Sequence, residues 1–142
     1  MIFVKDIMSR HVKTLDSKST IADAAKAMSK WKIGALVVTS GPSAVGIVTE
    51  GDISRSVAKG IGGDTALKEF GKRKLITIGP GERLEVAAKT MAEAGVKKLP
   101  VMEDGKLVGI VTQTDIVNSS FALVTSLKEM VQARYRPPDF QM

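Results

Sequence analysis

The chain has 142 residues, 44% of them apolar, a net charge of +6, one histidine and no cysteine. That length suits one compact domain or two halves sharing a core. Disulfides, thiolate zinc sites and cysteine nucleophiles are excluded, and a lone histidine leaves little for acid–base chemistry.

No apolar run reaches the roughly 18 to 20 residues that span a bilayer. The opening Met1–Asp6 meets an acidic residue before any long apolar stretch, so no secretory signal is expected and the cytoplasm is the expected compartment. The positive balance suits an anionic partner. Lys68, Lys72, Arg73, Lys74, Arg83, Lys89, Lys97 and Lys98 gather against Glu69, Glu82, Glu85 and Glu93. They form a solvated face, a phosphate site or a nucleic-acid surface. An aromatic content of 4% argues against a base-stacking platform.

In chain order, Asp6-Ile7-Met8-Ser9 reads as a turn-rich lead-in and Val12–Leu15 as a brief extended segment. Ser19 or Thr20, just ahead of Asp23, offers a hydroxyl cap to a helix. Ile21, Ala24, Ala25 and Met28 give that helix one apolar stripe. Short β-rich runs, Ala35–Val38 and Ala44–Val48, flank a turn at Gly41-Pro42-Ser43, and Asp52 opens a second helix. Gly60-Ile61-Gly62-Gly63-Asp64 is the natural flexible linker.

The same order then returns. Leu75–Ile78 is extended, Pro80-Gly81-Glu82 begins a helix, and Leu84, Ala87, Ala88 and Met91 form its stripe. Strands at Leu99–Met102 and Lys106–Val111 surround the turn Glu103-Asp104-Gly105. Asp115 opens a last helix, whose apolar positions Val117, Phe121, Val124, Leu127, Met130 and Val131 carry it to about Ala133. The tail Arg136-Pro137-Pro138-Asp139-Phe140 cannot continue it, and is expected to be loose or docked on a partner.

Val4–Ile53 lies on Leu67–Ile116 at a constant offset of 63 with no gap. The best match is Gly46-Ile47-Val48-Thr49-Glu50-Gly51-Asp52-Ile53 against Gly109-Ile110-Val111-Thr112-Gln113-Thr114-Asp115-Ile116. A gapless repeat implies two copies of one unit, each covering the other's apolar face. An α+β fold follows: two β-α-β-β-α repeats packed with pseudo-two-fold symmetry, forming two similar clefts. The expected boundaries are 1–59 for the first repeat, 60–66 for a linker, 67–119 for the second, and 120–142 for a C-terminal helix and tail.

The chemistry sits where each strand meets its helix. Thr49 and Thr112 end strands, and Asp52 and Asp115 stand three positions on. Unpaired amides at a helix start suit an anion, and a threonine hydroxyl adds a donor. An ionised carboxylate only accepts, so it suits the vicinal hydroxyls of a ribose. Thr-x-x-Asp is equally a plain helix-capping sequence, with the aspartates as N-caps. His11 has no partner for a metal and reads as a surface residue. Trp31 reads as packing or interface, Met28 and Met91 as core, and Asp104-Gly105 as a turn.

Two copies of this pattern, each ending in Gly-apolar-apolar-Thr-x-x-Asp, resemble a tandem cystathionine β-synthase (CBS) domain pair, or Bateman module, over about Val4–Ser119. The resemblance implies a non-enzymatic regulatory module that binds an AMP-, ADP- or ATP-like ligand in clefts between the repeats and signals to a partner protein. It places Thr14 and Thr77 beside the ligand. The segment Val96-Lys97-Lys98-Leu99-Pro100-Val101 would supply a backbone edge for adenine and basic side chains for phosphate. In the first copy Ile33-Gly34-Ala35-Leu36-Val37-Val38 lacks both the proline and the basic side chain. The cleft with Thr77, Lys97, Lys98, Thr112 and Asp115 therefore ranks ahead of the one with Thr14, Ala35, Thr49 and Asp52, unless Arg or Lys reaches over from the other half.

No tightly bound cofactor is expected; the adenine nucleotide would be a regulatory ligand. Homodimerisation through Trp31, Phe121 and the C-terminal helix, and a separate effector protein, are expected by analogy. The alternative is a nucleic-acid-binding or protein-interaction module with structural, unoccupied clefts, supported by the basic balance and Arg134-Tyr135-Arg136. An enzyme ranks last, since no nucleophile–base pair, metal cluster or P-loop is present.

Overall fold

The computed structural model describes residues 1–70 and 75–134. Lys72, Arg73, Lys74 and the tail from Tyr135 lie outside them, so the readings placed there are left at the sequence level. The first repeat runs α1 (Val4–Ile7), β1 (Thr14–Asp16), α2 (Ile21–Trp31), β2 (Ala35–Ser40), β3 (Ser43–Thr49) and α3 (Glu50–Ala58). The second runs α4 (Leu67–Phe70), α5 (Leu84–Ala94), β4 (Lys98–Glu103), β5 (Lys106–Thr112) and α6 (Gln113–Arg134).

In the first repeat β1 pairs parallel with β2, which pairs antiparallel with β3. In the second, among the described residues, only the β4–β5 hairpin forms a sheet. The expected strand at Leu75–Ile78 is reduced to one bridge, Ile78 with Val101. Pro100 supplies the reason. Its counterpart Val37 donates its amide to Lys13 O at 3.2 Å, a bond a proline cannot make.

Each helix packs a narrow stripe onto its sheet. Ile21, Ala24 and Met28 are buried on α2, and Leu84, Ala87 and Met91 on α5. Of the other two expected stripe positions, Ala25 is half-buried and Ala88 is exposed, because the small sheets cover less than the anticipated width. Thr20 caps α2 through a reciprocal pair of bonds with Asp23. Nothing comparable caps α5. It begins at Leu84, beyond the anticipated Pro80-Gly81-Glu82, and its N-cap Arg83 makes no side-chain bond.

The cores do not follow the repeat boundaries. Val4, from α1, is fully buried among Ile78, Ala87, Met91, Leu99, Val101 and Val111 of the second repeat. Leu67, from α4, is buried among Ile21, Ala24, Met28, Leu36, Val38 and Val48 of the first. The two lead-ins have crossed over.

The backbone repeats this exchange at the same offset of 63 as the sequence. Val4 N donates to Glu82 O and Leu67 N to Ser19 O. Leu84 N donates to Ile2 O and Ile21 N to Thr65 O, while Lys5 N donates to Pro80 O and Lys68 N to Ser17 O. These reciprocal contacts express the pseudo-two-fold relation directly. They also anchor the stretch expected to be a flexible linker: Gly63 O accepts from Ala22 N, and Thr20 bridges Ala66.

Candidate functional site

The two Thr-x-x-Asp motifs fold identically, and neither aspartate is the N-cap. Thr49 caps α3 in extended geometry; its Oγ1 accepts from Asp52 N at 3.2 Å, and Asp52 Oδ2 accepts from Thr49 N at 2.9 Å. In the second motif Asp115 N donates to Thr112 Oγ1 at 3.1 Å, and Thr112 N to Asp115 Oδ2 at 2.9 Å. Each pair is a capping box, with the aspartate at the third helical position. Both motifs thus cap their helices, with threonine and not the expected aspartate in the N-cap position.

That geometry changes what the motif can offer a ligand. The next amide is also taken: Glu50 N donates to Gly34 O at 3.0 Å, and Gln113 N to Lys97 O at 2.8 Å. At each motif three consecutive-turn amides that sequence reasoning offered to an anion are thus already bonded within the chain. The threonine hydroxyl, accepting from an amide, still has its own proton to donate. Each carboxylate still has a second oxygen, Oδ1, and here the copies part. Asp52 Oδ1 accepts from Arg55 Nη2 at 2.7 Å. Position 118, which corresponds to Arg55, is asparagine, and Asp115 makes no further hydrogen bond among the described residues.

A cleft of about 910 Å³ opens at the first motif, within the range typical of small-ligand sites. One wall carries Thr49, Asp52, Arg55, Ser56 and Lys59 from α3 and its cap. The other carries Gly95, Val96, Lys97 and Lys98 from the second repeat, with Gly34 and Ala35 at the floor. Asp52 is 7% exposed, and Ser56 Oγ donates to Asp52 O at 2.8 Å, fixing the first turn of α3.

Of the residues anticipated from sequence, Ala35, Thr49, Asp52, Val96, Lys97 and Lys98 come together in this cleft. Thr14, half-buried on β1, and Ile33, packed beneath the first core, do not line it. Thr77 is exposed and Pro100 is buried in β4. Thr112 and Asp115 stand at the other motif, with Lys98 beside Thr112 across the β4–β5 ladder.

The ranking from sequence set the second motif first because the first lacks a basic segment. The cleft instead gives the first motif that segment from the other half, as Lys97 and Lys98. Arg55 and Lys59 were missed altogether. The signal was present, since both recur at intervals along one face of α3 from Asp52.

His11 is exposed, and among the described residues no three potential ligands gather for a metal. Trp31 is 37% exposed, with the Lys13 ammonium 4.9 Å from its ring. No helix among the described residues is long and apolar enough to cross a membrane.

Comparison with known proteins bears on this arrangement. A family model for the CBS domain matches residues 4–59 and 67–121. The chain is 34% identical over 117 residues to the CBS domain-containing protein YhcV of Bacillus subtilis, covering 82% of this chain and 84% of that protein. It is 34% identical over 115 residues to protein MJ1225 of Methanocaldococcus jannaschii, a match spanning 80% of this chain but only 41% of the relative's length. Among solved structures it resembles the CBS domain pair of protein MJ0100 in complex with 5′-methylthioadenosine and S-adenosyl-L-methionine. The TM-score is 0.77 at 31% identity, covering 86% of this chain and 98% of that one.

Proposed function

The chain belongs to the CBS domain family, and on that premise we propose that it is a non-enzymatic regulatory module whose ligand is an adenosine compound of the AMP, ADP or ATP kind. CBS domain pairs are generally regulatory, and a solved pair 31% identical to this chain carries two adenosine compounds. The observation that carries the reading is the cleft in which Thr49 and Asp52 of one repeat face Val96, Lys97 and Lys98 of the other. A ligand held there touches both repeats at once, so binding biases their relative packing, and a partner protein can read that change.

In this reading the Asp52 carboxylate accepts from ribose hydroxyls, the Thr49 hydroxyl donates to phosphate, and Gly34, Ala35 and Val96 border the base. Thr112 and Asp115 do the same at the second motif, to which the family resemblance also assigns Thr77 and Pro100. Self-association belongs to the same reading. It is supported by Val117, Met130 and Val131 on α6, which are 55 to 65% exposed, and a monomeric mass in sedimentation equilibrium would remove it.

The test is thermal denaturation with adenosine, AMP, ADP, ATP, 5′-methylthioadenosine and S-adenosylmethionine, on wild type, Asp52→Asn and Asp115→Asn. A ligand at about 100 times its Kd raises stability by roughly 2.7 kcal/mol. We expect that gain for at least one compound, reduced in the variant at the occupied motif. No shift with any of the six would end the proposal.

A further inference from the structure

The first cleft carries two helix-wall cations that the second motif lacks, and they bear on which adenosine compound enters. Arg55 and Lys59 stand on α3, and Lys97 and Lys98 on the facing wall, against the carboxylates of Asp52 and Glu69. Asp52 is already matched by Arg55 at 2.7 Å. The cleft is therefore net cationic. At the second motif the positions equivalent to Arg55 and Lys59 are Asn118 and Ala122, so the two cations on the helix wall have no counterpart there.

The backbone offers an anion little in their place. The amides of Thr49, Glu50 and Asp52 are bonded within the chain, so the charge that attracts an anion comes mainly from side chains.

Resting on the functional reading above, we propose that the Thr49 cleft selects a polyphosphate-bearing adenosine ligand, a di- or triphosphate, and disfavours a sulfonium cation such as S-adenosylmethionine. Arg55 is the residue that sets this preference. Its guanidinium donates to Asp52 Oδ1, the oxygen that would otherwise meet the ribose. A neutral or cationic nucleoside must share that oxygen with Arg55 or displace it without compensation. A polyphosphate offers the guanidinium a second anion with better bidentate geometry, so Arg55 turns to the phosphate as Asp52 turns to the ribose. Lys59 and Lys97 add charge without fixed geometry.

Isothermal titration in the Asp115→Asn background reports on the first cleft. Adenosine, 5′-methylthioadenosine, AMP, ADP, ATP and S-adenosylmethionine are each titrated into this protein, and into the same protein carrying Arg55→Gln or Lys59→Gln. Affinity is expected to rise from adenosine through AMP to ATP, and the ATP affinity to fall as salt increases. Arg55→Gln should weaken ATP at least tenfold while leaving 5′-methylthioadenosine unchanged or tightened. Lys59→Gln, an exposed site with no packing role, should weaken ATP several-fold without altering the melting temperature. The inference is overturned if S-adenosylmethionine binds as tightly as ATP, or if the two variants weaken charged and uncharged ligands alike; the functional reading then survives. If no adenosine compound binds, both fall.

Discussion

At the residue scale, Thr-x-x-Asp is a pattern whose two meanings coexist. The threonine accepts from the aspartate's amide while the aspartate accepts from the threonine's, and this fixes the helix start before any ligand arrives. What remains to recognition is the hydroxyl proton and the second carboxylate oxygen, which at Asp52 is shared with Arg55. The first-repeat box at Thr20 and Asp23 shows the same device without a cleft. There the Thr20 amide and hydroxyl, with Lys26 nearby, hold the Asp23 carboxyl below its ordinary range. A carboxylate so depressed stabilises the fold above the usual carboxylate pKa, and the contribution disappears as pH falls through the lowered value. Asp23→Asn should therefore lower stability at neutral pH, make little difference in strong acid, and so flatten the acid side of the stability–pH curve. An unchanged acid limb would show that this box does not titrate with folding. The motif was legible in sequence; that its amides are spent internally was not, because spacing alone does not show which partner an amide takes.

At the scale of elements, helices and hairpins were read well where periodicity or turn chemistry is strong. The turn at Asp104 and Gly105 has positive φ at both residues, 51° and 75°, as a two-residue hairpin requires. The failure at Leu75–Ile78 has a local cause, since Pro100 removes the donor that Val37 supplies in the first repeat. Gly46 and Gly109 look equivalent in sequence and are not. A Cβ on Gly46 would meet only Val38 at 3.8 Å, an ordinary contact. On Gly109 it would lie 2.9 Å from Ser9 O and 2.7 Å from Met8 Sδ, where the crossed lead-in runs against β5. The methionine can move, but the backbone carbonyl, held by the Ser9–Ile110 bridge, cannot easily do so. Gly109→Ala should cost about 1 to 3 kcal/mol and Gly46→Ala clearly less, measured by urea denaturation. Equal costs would mean that the lead-in does not press on β5.

At the scale of the molecule, the exchange of α1 and α4 joins what the repeat suggests are two units. Each core contains one buried residue from the other repeat's lead-in, Val4 in one and Leu67 in the other. Long-range crossing of this kind is invisible to periodicity, which reports what a segment is and not what it lies against. Leu67→Ala removes a side chain that is 2% exposed and should cost about 2 to 5 kcal/mol. Calorimetry should show one transition, with calorimetric and van't Hoff enthalpies equal, in both wild type and variant. Two separated transitions would mean that the repeats unfold independently.

The two repeats also meet where Lys97 and Lys98 share a cleft with Thr49 and Asp52, and ligand binding between the repeats is the claim on which the functional account rests. The most direct measurement is a nuclear magnetic resonance titration of 15N-labelled protein with ATP. The account predicts that the amides of Gly34, Thr49, Asp52 and Gly95–Lys98 shift together along one saturating curve. Shifts confined to one repeat, or their absence at these positions while ATP binds elsewhere, would contradict it.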